Sequence, residues 1–369
     1  MNYLKLKSWI PFLGLVLSLN GIHAQGAPKQ VWVPSNKVIK VDQLESKIKK
    51  VMDSLNYPGL SIAFINDNKL AYSNAFGIAN RETNEKISSE TIFQGASLSK
   101  PLFAYFFLKM VEENQISLDE PIYPHLAAVF PKEAIEADSF EAYKTITPRM
   151  VLSHTTGIPN WTNGKPISIA FEPGTDFSYS GEAYQHLGAA FALKLGIDWG
   201  APLEDMIKKN VTATLGMASS FYVWDENFND LVARGHTKDK MFPKIKKFKK
   251  VGPGFSLHSN AEDYAQFLVE MLNPKNISVS TRDKMLEEQV HFDKDNSLYQ
   301  ETGQTGWGLG FAQKETPYGL VHLHTGKNPG FESYAMFVPE HNYGFVMFGN
   351  SNDLFPLLRS IETLIGEHF

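Results

Sequence analysis

Pro101 and the apolar run behind it constrain this chain more than any other feature. Leu102, Phe103, Tyr105, Phe106, Phe107, Leu108, Met110 and Val111 place apolar groups almost all round a helix. A helix of that kind is buried on every side, so the chain must wrap a large core around it. Proline has no N–H and belongs in a first turn, so this helix starts at about Ser97 to Ser99. Ser97 then lies at a helix N-terminus, where free N–H groups and the dipole favour negative charge. Lys100 follows at i+3, one turn on and on the same face. A serine hydroxyl is a weak nucleophile until a base takes its proton. A lysine drawn into a buried helix loses preference for its charged form and becomes a usable base. Ser97 and Lys100 are therefore the candidate nucleophile and base.

Spacing alone does not establish this chemistry. Ser46-Lys47-Ile48-Lys49 repeats it. There Leu44, Ile48, Val51 and Leu55 form an ordinary amphipathic stripe, and Ser46 and Lys49 fall on the solvated side. That copy reads as surface.

The chain has 369 residues, 43% of them hydrophobic, enough for one large domain or two intimately joined lobes. Its formal net charge is -5, which does not suggest a nucleic-acid partner. Residues 1–24 read as a secretory signal. Lys5 and Lys7 give the positive start, Ile10 to Leu19 is a short apolar run, and Ala24 offers a small residue before a cut. Cleavage there leaves a net charge of -7 and a periplasmic or secreted protein. An uncleaved anchor is the alternative, but the run is shorter than the roughly 20 apolar residues of a membrane span. No later segment reads as transmembrane. Residues 25–40 form an N-terminal extension and residues 41–369 the main domain.

There are no cysteines, so disulfides and thiolate chemistry are excluded. No zinc-binding spacing is present. His322 and His324 share one face of a strand, a pattern that fits two metal ligands or, more simply, two packed side chains. No cofactor is expected, and the partner is a small-molecule or peptide substrate.

The spacing predicts a helix near Val41 to Leu55. A hairpin follows, Leu60 to Ile65 and Lys69 to Phe76, turning at Asn66-Asp67-Asn68. A helix-rich stretch spans about 117–300. Within it Thr147-Pro148 reads as N-cap and N1 of a short helix, and Ser259-Asn260-Ala261-Glu262 as a capping box for a helix through Leu272. Strands return at Trp307 to Gln313, Leu320 to Thr325, Ser333 to Val338 and Phe345 to Phe348, before a last helix near Leu354 to Ile365. Short connections favour antiparallel pairing. The expected fold is α+β: an antiparallel sheet flanked by helices, with an inserted mostly helical lobe and a cleft between the two.

Two further segments belong beside Ser97. Tyr179-Ser180-Gly181 follows a proline- and glycine-containing loop and precedes a helix of Tyr184 to Leu195. A tyrosine facing a cleft accepts a proton if cations lower its pKa; one packed at a helix start does not. His324-Thr325-Gly326 ends a strand, and its glycine lets a substrate approach the backbone. Thr325 and His324 have groups to bond an acyl group or carboxylate; a plain strand end is the alternative.

In this order the three segments resemble the serine β-lactamase and penicillin-binding-protein superfamily, in particular its class C-like branch, which also holds esterases and D-amino-acid peptidases. Ser97 to Lys100 resembles the family's Ser-x-x-Lys, Tyr179-Ser180-Gly181 its Tyr-x-Asn, and His324-Thr325-Gly326 its Lys-Thr-Gly or His-Thr-Gly. Leu152 to Gly157, Pro173 to Gly188 and Val251 to Phe255 look similar too. The resemblance implies a β-lactamase/transpeptidase-like fold and an acyl-enzyme on Ser97, with Lys100 and Tyr179 sharing the base and acid work. It also implies an oxyanion hole from the backbone N–H groups of Ser97 and Lys327, and substrate contacts from His324, Thr325 and Gly326.

Two positions depart from the best-known pattern. Gly181 removes the side-chain amide that grips an acylamino group. His324 replaces a standing cation with a group mostly neutral near pH 7.5, expected to charge below about pH 6.5. Both argue against efficient penicillin hydrolysis. The leading expectation is a serine hydrolase for esters, amides or D-amino-acid peptides. The alternatives are a β-lactamase or D-Ala-D-Ala carboxypeptidase, and a penicillin-binding sensor that acylates without turnover. Lys244, Lys246, Lys247, Lys249 and Lys250 form a basic run read as solvated loop charge, with attraction of anionic substrates or a membrane surface as alternatives. Asn160-Trp161-Thr162, Asn210-Val211-Thr212 and Asn276-Ile277-Ser278 fit a glycosylation pattern that acts only in a eukaryotic source.

Overall fold

The computed structural model describes residues 30–365 except positions 239 and 243. The signal-like segment at residues 1–24 lies outside the described residues.

Thirteen strands are described. Two small antiparallel pairs stand apart from the main sheet: the hairpin of β1 (Gln30–Val33) with β2 (Lys37–Lys40), and the long-range pair of β6 (Phe93–Ala96) with β7 (Leu257–Ser259). The main sheet takes β3 (Gly59–Asn66), β4 (Lys69–Asn80) and β5 (Glu85–Lys86) from the front of the chain. From its end come β8 (Val290–His291), β9 (Gly306–Trp307), β10 (Ala312–Thr316), β11 (Gly319–Asn328), β12 (Phe331–Val338) and β13 (Tyr343–Gly349). Its order is β5-β4-β3-β13-β12-β11-β10-β9-β8, with antiparallel neighbours throughout. The two ends of the chain therefore meet at β3 and β13, where Phe345 pairs with Phe64 and Met347 with Ile62.

Alternation along β3 sorts its side chains between two cores. Leu60, Ile62 and Phe64 join Leu44 and Ile48 of α1 (Val41–Leu55) and Leu357, Leu358 and Ile361 of the C-terminal helix (Leu354–Ile365). Ala63 and Ile65 join the other core, with Tyr264, Ala265 and Leu268 of the helix Ala261–Leu272. That second core also holds Leu102 to Leu108 of α2 (Ser99–Glu112), so the all-apolar helix is buried as its composition requires. Each large apolar side chain buried this way contributes about 1.5–3 kcal/mol. α1 presents one apolar stripe, and its Ser46 and Lys49 are exposed, with Lys49 paired to Glu45 at 3.2 Å.

The hairpin turn after β3 uses Asp67 and Asn68, both left-handed at φ 52° and 59°, the pair of positive φ values a two-residue turn requires. Two local expectations change. Trp307 to Gln313 is not one strand. Gly308 N–H donates to Phe311 O at 2.8 Å, Gly310 takes φ 101°, and Trp307 pairs back onto Ala312. The N-cap of Ala261–Leu272 is Asn260, whose side chain accepts from Asp263 N; Ser259 belongs to β7.

Candidate active site

Ser97 sits where β6 ends and α2 begins. Ala96 turns the chain through the left-handed region at φ 49°, a conformation that costs a non-glycine residue about 1–3 kcal/mol and gathers at functional sites. The turn is pinned from several sides. Leu98 N–H donates to Gly95 O at 3.0 Å and Lys100 N–H to Ser97 O at 3.0 Å. Tyr264 Oη donates to Leu98 O at 3.0 Å, Tyr222 Oη to Ser99 O at 2.7 Å, and Leu257 N–H to Ser99 Oγ at 2.9 Å. The helix itself begins at Ser99. Pro101 thus falls in the first turn, where its missing N–H leaves no carbonyl unpaired.

Lys100 is fully buried, while Ser97 is half-buried. Lys100 Nζ donates to Ser97 Oγ at 3.0 Å and to Gly254 O at 2.8 Å. Burial lowers its pKa from 10.5 to about 7. Its surroundings are the rings of Tyr179 and Tyr184, with centroids 4.7 Å and 5.5 Å from Nζ. At neutral pH a substantial fraction of Lys100 therefore carries a lone pair beside the serine hydroxyl. Gly254 is a further member of the site that the motifs alone do not identify. Its carbonyl fixes the ammonium or amine, and an added Cβ would come within 3.0 Å of Gly181 O. The glycines flanking Pro253 are the only sequence signal for such close backbone approach.

Tyr179 is half-buried and faces the same cleft. The lowered pKa on which base work by Tyr179 is conditional is not found. Burial pushes the phenol up, and a hydrogen bond with Ser97 offsets only part of that. Tyr179 is held as a neutral hydroxyl, and of the two groups Lys100 is the one whose pKa is drawn close to neutrality. His154 backs the tyrosine, its ring 4.3 Å from that of Tyr179, and accepts from Ser180 N–H at 3.0 Å. Ser180 caps the next helix, Gly181–Lys194, by accepting from Ala183 N–H.

β11 forms the opposite wall. Its pairing with β10 stops at Leu323, and the stretch beyond runs along the site. Gly326 has no room for a side chain: a Cβ would stand 2.4 Å from Gly95 O, 2.2 Å from Ser333 Oγ and 3.1 Å from Ser97 N. That close approach carries the backbone leading to Lys327 alongside the Ser97 N–H. Thr325 is exposed into the cleft. The Lys327 side chain instead reaches Glu332, Nζ to Oε1 3.0 Å.

His324 is corrected as a substrate contact. It is 2% exposed, is not among the cleft-lining residues, and packs against Trp307 and Tyr179 at 5.6 Å and 6.0 Å between rings. Its Nδ1 lies 2.7 Å from Thr325 O. Burial, reinforced by Lys100, lowers its pKa to about 3. It stays neutral at pH 6.5 as well as at 7.5. His322 packs on Phe337, 5.2 Å between rings, and neither histidine belongs to a metal-holding cluster among the described residues.

The cleft encloses about 600 Å3, lined by Ser97, Tyr179, Thr325, Lys327 and a rim containing Asn160, Trp161, Lys246 and Phe255. Gly181 is explained by that rim. A Cβ there would lie 2.4 Å from Cζ2 of Trp161. The indole occupies the space beside position 181, so any side chain there displaces it. Asn160 Oδ1 accepts from Gly181 N–H at 2.9 Å. Trp161 and Phe255 meet edge to face at 5.6 Å, giving the cleft an aromatic wall where the best-known pattern has an amide.

A family model described as Beta-lactamase matches residues 44–368. A beta-lactamase of Pseudomonas fluorescens is 22% identical over 353 residues, covering 84% of this chain and 93% of the relative. Protein flp of Staphylococcus aureus strain MRSA252 is 22% identical over 362 residues; the match covers 88% of this chain and 66% of flp. Among solved structures, the octameric penicillin-binding protein homologue from Pyrococcus abyssi superposes with TM-score 0.72 at 23% identity, covering 89% of this chain and 78% of that one. D-alanine carboxypeptidase AmpC from Burkholderia cenocepacia gives 0.70 at 19%, covering 88% and 100%. These structural likenesses establish the shared fold: a large antiparallel sheet with helices.

Proposed function

The chain belongs to the beta-lactamase family, a family of serine hydrolases, and from that premise we propose that it cleaves esters and amides through an acyl-enzyme on Ser97. One observation carries the reading: Lys100 Nζ, buried and shifted to about 7, stands 3.0 Å from Ser97 Oγ. Neutral Lys100 takes the hydroxyl proton as Ser97 attacks the carbonyl carbon. The oxyanion is to be met by the N–H groups of Ser97 and Lys327, a pairing supported by the close approach of Gly326 to the Ser97 N–H, where a Cβ would stand 3.1 Å from Ser97 N. A lost donor of this kind typically costs about 3–4 kcal/mol in the barrier. The proton on Lys100 passes to the leaving group, with the neutral Tyr179 hydroxyl as relay. Water then attacks the acyl-enzyme, and the same groups accept its proton. Substrate enters the cleft as a small molecule or peptide, and residues 1–24 direct the chain to the periplasm or outside.

Within the family, substrate choice follows the cleft wall. Position 181 offers no amide, and the space is taken by Trp161. His324 is buried and neutral. A penicillin loses one neutral hydrogen bond and one charge-assisted bond at those positions, about 2–4 kcal/mol together. p-Nitrophenyl butyrate needs neither. Its kcat/KM is expected to exceed that of benzylpenicillin by roughly 10²-fold, since each 1.4 kcal/mol is a decade. Lowering the pH to 6.5 is not expected to rescue penicillin, because His324 titrates near 3. Both substrates and nitrocefin should be compared on one preparation. Benzylpenicillin as the best substrate would turn the reading to a β-lactamase. Labelling of Ser97 by penicillin with no measurable turnover of any substrate would turn it to a sensor.

A further inference from the structure

We propose that Lys246 is an anion anchor on the aromatic rim of this cleft, and that among aryl esters laid against that rim those carrying a carboxylate on the ring are preferred over their neutral counterparts. The inference rests on the cleft being the substrate site and adds the chemical class it takes.

The charges around the cleft are unevenly satisfied. None of its lining residues is acidic. Lys327 is held by Glu332 at 3.0 Å. Lys100 is buried and engaged with Ser97 and Gly254. His324 stays neutral behind the wall. In the basic run, Lys247 pairs with Glu226 at 2.8 Å, and Lys249 and Lys250 line a neighbouring cavity. Lys246 alone of that run lines the catalytic cleft, and it has no carboxylate partner among the described residues. Its ammonium is seated over two rings, 5.1 Å from the centroid of Phe248 and 5.6 Å from that of Phe255. Phe255 is the ring that meets Trp161 edge to face. The cation is thus placed at the end of an aromatic wall by contacts that leave its N–H donors free for a ligand. An aromatic or apolar substrate laid against Trp161 and Phe255 brings an attached carboxylate toward Lys246.

A carboxylate and its neutral isostere separate the charge from every other contact. The pair is 3-acetoxybenzoate and 3-acetoxybenzamide. At low ionic strength kcat/KM is expected to favour the carboxylate by about 5-fold, the scale of one partly solvated charge pair, and 0.5 M salt should erase the preference. Lys246→Gln should bring the ratio near one, and Lys246→Glu should invert it. Lys244→Gln, an exposed neighbour that does not line the cleft, should leave it intact. An identical ratio in wild type and Lys246→Gln overturns the anchor while leaving the hydrolase reading in place. If neither ester is turned over, the hydrolase reading fails, and binding decides the anchor separately. Ligand-observed NMR on Ser97→Ala should show 3-acetoxybenzoate binding tighter than the amide, and Ser97→Ala/Lys246→Gln should not. Equal binding of the two ligands to Ser97→Ala sinks the proposal.

Discussion

Two stretches of this protein carry serine and lysine three residues apart, and they have opposite surroundings. At Ser97 and Lys100 the lysine is fully buried, its amine 3.0 Å from the hydroxyl and its pKa drawn to about 7. At Ser46 and Lys49 both side chains are exposed, and the lysine pairs with Glu45 one turn back. The covalent spacing is the same. What differs is the helix: α2 is apolar on all sides and enclosed, whereas α1 buries only Leu44, Ile48, Val51 and Met52. The lowered pKa of Lys100 is a property of desolvation, which the neighbouring residues impose on the motif.

The largest effect that tests this contrast is loss of the nucleophile. Ser97→Ala should reduce kcat/KM for p-nitrophenyl butyrate by about 10³- to 10⁶-fold, and Ser46→Ala should change nothing measurable. A fluorophosphonate adduct mapped by peptide mass should fall on Ser97. Adduct at Ser46, or full activity in Ser97→Ala, breaks the comparison outright.

The lysines sharpen it through stability and pH. Lys100 has a folded pKa near 7 against an ordinary 10.5, so the unfolded chain binds more protons between those values. Its penalty on folding is fully present below pH 7 and fades as pH rises toward 10.5. Lys100→Met should therefore raise the urea midpoint, most at pH 6 and least near pH 10, while lowering activity by about 10²-fold or more. Lys49→Met should shift stability by no more than ~1 kcal/mol at any pH, as for an exposed pair. In the wild type, kcat/KM should climb with pH to a plateau with a midpoint near 7, where Lys100 becomes neutral. An acid limb centred near 4, or a destabilised Lys100→Met, contradicts the desolvated-base account.

The smallest effect concerns the histidine behind the wall. His324→Gln should leave the midpoint of that acid limb within about 0.3 pH units, because a group titrating near 3 is already neutral throughout it. A midpoint that moves by a full unit shows that His324 does ionise in the working range, and the buried environment of the Ser97 copy must then be redrawn.

Much of this was legible in the residues because it rests on periodicity and local sterics. The stripe of α1, the Asp67-Asn68 turn and the enclosure of α2 each follow from a few side chains. The sheet at both ends of the chain with helices between them was legible too, from the placement of short alternating runs. Trp307 to Gln313 was not, because an apolar run with glycines reads the same whether it continues or doubles back; only φ 101° at Gly310 distinguishes them. The titration of His324 was hidden for a different reason. Its pKa depends on the burial supplied by distant segments, including Trp307 and Tyr179. Trp161 beside Gly181 is a long-range meeting of the same kind, and chain order carries no marker for it.

The seam between β3 and β13 has a consequence for timing. Ile62 cannot find Met347, nor Phe64 find Phe345, until the long stretch between them is available. β13 thus emerges long after the strand it pairs with, and pairings of such long sequence separation form slowly. Until then the apolar β3 and the all-apolar α2 have no finished sheet to cover them, and β11 has no settled place from which to bring Gly326 against the Ser97 turn. The cleft geometry is consequently assembled late, and the interval before it is the one in which the chain depends on being kept from its neighbours.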